Sequence, residues 1–277
     1  YEIRIRDWSS DVCSSDLAAC WLVKKQGNPV RLSLLHKRSG NPFTEGTREL
    51  FDLTGQGRID LFFLGGGQID GSANLNLVGT GEWPGMGVRF PGSFGSAFMY
   101  FMTPRTILFR EEHTPRVFVE KVDNISAPGV SAPGVFRRGT AQALVTGRCV
   151  FRFHPERARF SLESVHPGET VESVRETTGF TFDVTGDVPF TPDPTAEELA
   201  LLRGPTQTLG AASPCSGWAN KRVSNAPPIQ RVSSVLDASK ARTALSSALR
   251  HTRLGSLVNA VHSRTEPSAQ PTAKPRA

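Results

Sequence analysis

The chain lacks any run of apolar residues approaching the roughly 18 needed to cross a bilayer, so no membrane-spanning segment is expected. Its first residues also lack the apolar stretch of a secretory signal peptide. Cysteine is scarce: Cys13, Cys20, Cys149 and Cys215 make no C-x-x-C pair and no zinc-ligand spacing. That excludes a disulfide scaffold, predicts no metal site, and points to a reduced, cytoplasmic protein. Cys149, beside Val150 in a strand-like run, reads as a small buried core residue. A dinucleotide fingerprint is missing as well, because Gly65-Gly66-Gly67 has neither the G-x-G-x-x-G spacing nor a helix directly behind it.

Acidic residues are scarce at one end only. The formal net charge of +6 invites a nucleic-acid reading. After position 204, however, ten Lys and Arg face two Asp and Glu, which leaves 22 basic and 24 acidic residues before it. The basicity therefore belongs to the tail, and no nucleic-acid partner is expected for the body. The tail, residues 205–277, is rich in Ser, Ala, Thr and Arg, and is expected to stay disordered for want of apolar surface to bury. At the other end, the tandem Ser-Ser-Asp repeat of residues 9–16 has no apolar period and is similar to translated sequencing-adapter read-through. Residues 1–17 are accordingly expected to lie outside the fold. The folded unit is expected to be residues 18–204.

Within that unit the most telling block is Arg58-Ile59-Asp60-Leu61-Phe62-Phe63-Leu64 running into Gly65-Gly66-Gly67-Gln68-Ile69-Asp70-Gly71. A short run rich in Ile and Phe reads as a buried strand. Three glycines then remove every Cβ at the strand's carboxyl end, where open α/β sheets accept ligands. Residues 30–36 alternate and read as a strand. Thr44 or Thr47 is placed to cap a helix carrying Leu50, Phe51 and Leu53 inward, stopped by Gly55 and Gly57. Further strands are expected at 105–109, 116–120 and in 138–145, with a hairpin from 149–153 to 160–162. Helices are expected at 94–102, at 170–178, and after Thr195, whose following acids Glu197 and Glu198 suit a helix N-terminus. Residues 78–95, with six glycines, read as a loop that lines a site. Strands and helices alternate, so the fold class is α/β with an open, largely parallel sheet flanked by helices.

Several segments, in order, carry a family resemblance: Asn41-Pro42-Phe43-Thr44-Glu45-Gly46, then Leu64-Gly65-Gly66-Gly67-Gln68-Ile69-Asp70, then Pro91-Gly92-Ser93-Phe94-Gly95-Ser96-Ala97. Arg116-Val117-Phe118-Val119-Glu120-Lys121-Val122-Asp123, Leu144-Val145-Thr146-Gly147, Phe151-Arg152-Phe153 and Val188-Pro189-Phe190-Thr191-Pro192 follow. The set resembles the B (β) subunit of the family I CoA-transferases, of the glutaconate CoA-transferase type, over residues 32–204. The resemblance implies an α/β subunit that works with an A (α) subunit on an acyl-CoA and a carboxylic acid. Coenzyme A would then be a substrate, with no permanently bound cofactor. It also implies that Gly65, Gly66, Gly67, Gly92, Ser93 and Gly95, with Asp70 beside them, surround the thioester.

In that family the glutamate that takes up CoA follows an apolar strand in a Glu-Ser-Gly or Glu-Asn-Gly motif. Here Ser39-Gly40 is preceded by Lys37-Arg38, and a cation cannot serve as a carboxylate nucleophile. Glu45 is the substitute within this chain. Otherwise the reactive acid comes from the A (α) partner, as in a thioester or ring-opening hydrolase, or the chain stabilises its partner without catalysing. Glu111-Glu112-His113 is a weaker acid–base candidate, and Arg116, Arg137 and Arg138 are candidate contacts for CoA phosphates.

Overall fold

β3 (Leu61–Leu64) is buried at all four positions, as a strand covered on both faces must be. Around it the computed structural model describes residues 2–5, 31–34, 44–93 and 95–203. Among these, seven strands make one sheet. β1 (Glu2–Ile5), β2 (Arg31–Leu34) and β3 occupy one side, followed by β8 (Arg105–Arg110), β9 (Thr140–Thr146), β10 (Cys149–His154) and β11 (Arg159–Val165), in the order β11-β10-β9-β8-β3-β1-β2. The pairs β1/β2, β1/β3, β3/β8 and β8/β9 are parallel, and only the terminal β9/β10/β11 meander is antiparallel. Two short ribbons stand apart from the sheet: β4 (Gln68–Ile69) with β5 (Leu75–Asn76), and β6 (Gly79–Thr80) with β7 (Val88–Arg89). The helices are α1 (Gly46–Gly55), α2 (Ser96–Met102), α3 (Val171–Thr177) and α4 (Ala196–Arg203). The α/β class and the largely parallel sheet read from the sequence are those of the structure.

Three local expectations are corrected. Glu2–Ile5 stands inside the sheet between β3 and β2, although the composition of 1–17 placed it outside the fold. The rest of 1–17 and all of 205–277 lie outside the described residues. Neither Thr44 nor Thr47 caps α1: Glu45 is the N-cap and has no side-chain capping bond, while the Glu49 carboxylate accepts from the N–H groups of Thr44 and Glu45. Residues 116–120 form a turn with a single bridge, Phe118 to Ile69, where a strand was expected. Val117 and Phe118 are buried, which mimics a strand in the sequence. Their N–H groups instead bond Thr114 O within the turn, and Pro115 has no N–H to offer a ladder.

α3 begins with a reciprocal capping box between Thr170 and Ser173, and α4 with one between Thr195 and Glu198. A phenylalanine cluster fills the space behind the antiparallel hairpin. Phe151, fully buried, has ring centroids 5.0 Å from Phe182, 5.8 Å from Phe180 and 5.9 Å from Phe160. Truncation there leaves a cavity ringed by aromatics that cannot all collapse inward. Phe151→Ala is therefore expected to lower unfolding free energy by about 3–5 kcal/mol. Urea unfolding of the full chain, followed by fluorescence, measures the shift.

Candidate active site

β3 and β8 run parallel with Leu64 opposite Leu108, so both leave the sheet at the same edge. The segments that follow them, Gly65-Gly66-Gly67 and Arg110 to Val117, form two walls of a cavity of about 460 Å³. The third wall comes from the 77–92 segment, which contributes Leu77, Thr80, Val88, Phe90, Pro91 and Gly92. Two glycine segments distant in the chain thus meet at the carboxyl edge of a parallel sheet, where this topology leaves room for a ligand.

Two glycines matter for distinct reasons. At Gly67 a Cβ would land on the Phe90 ring, so the absence of a side chain lets that ring close one cavity wall. Gly92 has a φ of +97°, a left-handed conformation that glycine adopts without strain. Their own amides are engaged: Gly67 N–H donates to Asn76 O at 2.9 Å and Gly92 N–H to Leu77 O at 2.9 Å.

The β6–β7 ribbon over the cavity is held at its base by side-chain amides. Asn76 Nδ2 donates to Gln68 Oε1 and to Gly79 O, both at 2.7 Å, while Asn76 Oδ1 accepts from the N–H groups of Val78 and Gly79. Gln68 Oε1 also accepts from Asp123 N–H, and Asp123 Oδ2 accepts from Gly81 N–H. Gln68 and Asn76 are buried, and this network supplies their partners.

The charged wall is a carboxylate between two guanidinium groups. Glu112 Oε1 accepts from Arg116 Nη2 at 2.6 Å and from Thr114 Oγ1 at 3.1 Å, and Glu112 Oε2 accepts from Arg110 Nη2 at 3.3 Å. Partial burial pushes the Glu112 carboxyl up, but the bonds from Arg116, Thr114 and Arg110 outweigh it and hold the group below the usual carboxylate range. Glu112 is therefore ionised at neutral pH.

The residues singled out in the sequence are divided by this geometry. Gly65, Gly66, Gly67 and Gly92 line the cavity, as do Glu112 and Arg116; Ser93 and Gly95 are not among its lining residues. A Cβ on Gly95 would strike the Phe51 ring, which marks that glycine as a packing position between α1 and α2. Asp70 is buried and faces inward onto its own turn, accepting from Ser72 N–H, Asn74 N–H and Asn74 Nδ2 at 3.0 Å each. It shapes the β4–β5 connection and is not part of the cavity wall. Glu45 is 72% exposed, 4.0 Å from Arg48, and also outside the lining. Arg137 lies over the Tyr100 ring and bonds the carbonyls of Gly139 and Pro128. Residues 35–43, with Lys37, Arg38, Ser39 and Gly40, lie outside the described residues. Sequence reasoning missed Arg110, placed Thr80, Val88 and Phe90 only within the 78–95 loop it expected to line a site, and gave Gln68 and Asn76 no role. Gln68, directly after the triple glycine, was the available signal.

His113, adjacent to the charged wall, is itself a core residue. His113 Nε2 lies 2.8 Å from Thr178 Oγ1, and Nδ1 lies 2.8 Å from Thr146 Oγ1, so hydroxyls meet both ring nitrogens. Burial, then the charge of Arg148 and the neighbouring His166, lower its pKa to about 3. It is a neutral, fixed imidazole unsuited to moving a proton at neutral pH. Cys149, buried beside it, has its thiol pushed up by burial and is inert. Among the described residues no cluster of His, Cys, Asp and Glu could hold a metal, and no helix is long and apolar enough to cross a membrane.

Residues 26–177 match the coenzyme A transferase family. The chain is 32% identical over 162 residues to the B-type subunit of 3-oxoadipate CoA-transferase from Pseudomonas knackmussii, covering 56% of this chain and 62% of that protein. It is 32% identical over 145 residues to the B-type subunit of glutaconate CoA-transferase from Acidaminococcus fermentans, covering 50% and 54%. It is also 32% identical over 165 residues to the cholesterol ring-cleaving hydrolase IpdB subunit of Rhodococcus jostii, covering 56% and 62%. The chain thus spans less than two thirds of the length of these relatives. Its fold is that of Rhodococcus jostii IpdAB, with a TM-score of 0.63 at 24% identity over 73% of this chain and 86% of that one. Glutaconate coenzyme A-transferase of Acidaminococcus fermentans shares it, with a TM-score of 0.59 at 19% identity over 72% and 94%. The chain belongs to the coenzyme A transferase family, and the two CoA-transferase chains it is similar to in sequence are B-type subunits.

The buried His113 makes stability depend on acid. The native state keeps it neutral down to about pH 3, while the unfolded chain protonates it below its ordinary value of 6.5. The unfolded state therefore binds more protons in that window, and the contribution of up to roughly 4 kcal/mol, complete above it, is lost as pH falls through it. Urea midpoints of the full chain should fall between pH 7 and pH 4, and His113→Gln should flatten that dependence.

Proposed function

We propose that this chain is the B-type half of a heteromeric CoA-transferase, and that its glycine-walled cavity receives the acyl thioester. The observation that carries this reading is the meeting of Gly65, Gly66, Gly67 and Gly92 around one cavity at the carboxyl edge of the parallel sheet. With the Gly67 and Gly92 amides bonded to main-chain carbonyls, the donors for a developing oxyanion are sought at Gly65 and Gly66.

In the transfer, a carboxylate oxygen attacks the thioester carbonyl. The C–S bond breaks, CoA leaves as a thiolate, and a mixed anhydride remains. The thiolate then attacks the carbonyl belonging to the enzyme's carboxylate, expelling the first acid and leaving an enzyme thioester. An incoming acid reverses both steps. Neither named carboxylate of this chain suits the attack: Glu45 is exposed outside the cavity, and both oxygens of Glu112 are held by cationic donors. The reading therefore assigns the reactive carboxylate to an A-type subunit. Val88 in the cavity lining and Trp83 on the same 79–89 ribbon, 55% and 62% exposed, are the apolar contacts offered to it.

A hydrolase is the second reading, favoured by Lys37-Arg38 standing where the family's glutamate is expected and by the hydrolase among the relatives. The full chain, co-expressed with an A-type subunit, should consume an acyl-CoA only when an acceptor acid is supplied, yielding the acceptor's CoA thioester with no net release of free CoA. Free CoA released in turnover without acceptor would reject transfer. Hydroxylamine trapping and mass spectrometry should locate the enzyme thioester on the partner. Gly67→Ala, which drives the Phe90 ring into the cavity, is expected to weaken acyl-CoA turnover at least tenfold, roughly 1.4 kcal/mol, while the fold persists. The check is kcat/KM beside an unchanged circular dichroism spectrum.

A further inference from the structure

One pentapeptide stands twice in succession: Ser126-Ala127-Pro128-Gly129-Val130 is followed at once by Ser131-Ala132-Pro133-Gly134-Val135. The first copy is seated in the core. Ser126 Oγ accepts from Leu77 N–H at 2.8 Å, and the buried Ala127 bridges Leu75, whose N–H donates to Ala127 O at 2.9 Å. Gly129 N–H donates to Asn74 Oδ1 at 2.9 Å, a Cβ on Gly129 would overlap Ser72 O, and Val130 packs against the core. The second copy puts the same residues to other use. Ala132, Pro133, Gly134 and Val135 are exposed, Val135 N–H closes a turn onto Ala132 O, and a Cβ on Gly134 would meet nothing.

Each seat contact is made by a group that the second copy also owns, so these contacts do not choose between the copies. The flanking chain permits the exchange. Arg137 Nη1 donates to Pro128 O at 2.7 Å, so the two Cα atoms lie within about 12 Å, and the four steps from Pro133 to Arg137 span about 13–14 Å. With the first copy seated, one residue (Ile125) parts it from Asn124 and six (131–136) part it from Arg137. With the second seated, six (125–130) lie before it and one (Phe136) after it. A six-residue loop is closed in either case, so the closure entropy hardly differs. We propose that either copy can occupy the one seat, and that exchanging them carries the six-residue loop from the Arg137 side to the foot of the ribbon over the cavity. That foot is Asn124, whose Nδ2 donates to Gly79 O and Gly81 O at 3.1 Å each. Slack beside Asn124 loosens its hold on the ribbon. The device is a switch of chain register, independent of what the cavity binds.

Gly129→Ala closes the seat to the first copy and Gly134→Ala closes it to the second, so these two variants and their combination test the exchange in the full chain. Each single variant should keep a urea midpoint near that of the wild type, while the double variant should fall by several times the sum of the single shifts. Gly139→Ala, whose Cβ would overlap Tyr100 O at a glycine with no copy, shows the loss expected when a clearance is blocked without a substitute. Occupancy is read from cysteine alkylation, localised by peptide mass spectrometry. The rate for Val135→Cys relative to that for Val130→Cys should drop at least about tenfold when Gly129→Ala is added. Hydrogen exchange of residues 79–89 should quicken in Gly129→Ala and not in Gly134→Ala. A Gly129→Ala chain as unstable as the double variant, or one that leaves the ratio of alkylation rates unchanged, overturns the proposal. A changed ratio with unaltered exchange in the ribbon overturns the link to the cavity.

Discussion

The site depends on the direction in which two strands run. Because β3 and β8 are parallel and in register, their carboxyl ends emerge side by side, although Leu64 and Leu108 are far apart in the chain. An antiparallel pair would send one of the two following segments to the opposite edge. Parallel pairing therefore makes neighbours of a segment without side chains and a segment rich in charge. The first leaves main chain open to the cavity, and the second gives the cavity its charge.

A site built from loops needs something to hold the loops. Here it is Asn76 with Gln68. Both are buried, and each engages its amide with the backbone or with the other, so the base of the β6–β7 ribbon is fixed without a long ladder. The ribbon itself pairs through only two residues on each side. Such short pairing is weak alone, and the amide network compensates for it at the turn out of β5. Asp70 does the same for the preceding turn, through Ser72 and Asn74. The polar residues of the Gly-Gly-Gly-Gln-Ile-Asp segment serve to keep the glycines where they are.

That division explains what could be read from the sequence. The triple glycine was legible because a run of glycine after an apolar strand has few other uses, whereas Gly92 was implied by the family resemblance. Asp70 was misleading for the same reason: proximity in the chain to a cavity wall does not place a carboxylate in the cavity, and an Asx turn claims its oxygens first. The hairpin of β10 and β11, the helix before Gly179 and the Thr195 cap followed from local chemistry, and all are present. Residues 116–120 failed because burial of Val117 and Phe118 imposes an apolar pattern whether or not a ladder forms, and only the tertiary position of β4 decides which. Arg110 had no local signature. Its importance comes from the register of β8 against β3, which no window of sequence contains.

The charged wall bears on how labour is divided in the pair. A carboxylate that must attack a thioester needs a lone pair free of strong donors, and bonds from charged donors tie such a lone pair down. Glu112 is bound on both oxygens and is kept ionised by the same bonds, so it is stable as an anion and poor as a nucleophile. The wall is thus ill suited to supplying an attacking carboxylate. On the proposed reading, a cavity with bare main chain and an apolar wall receives the thioester, and the attacking carboxylate comes from an A-type subunit. Lys37-Arg38 before Ser39-Gly40 is compatible with that reading, because the receiving half of the chemistry does not need a glutamate there.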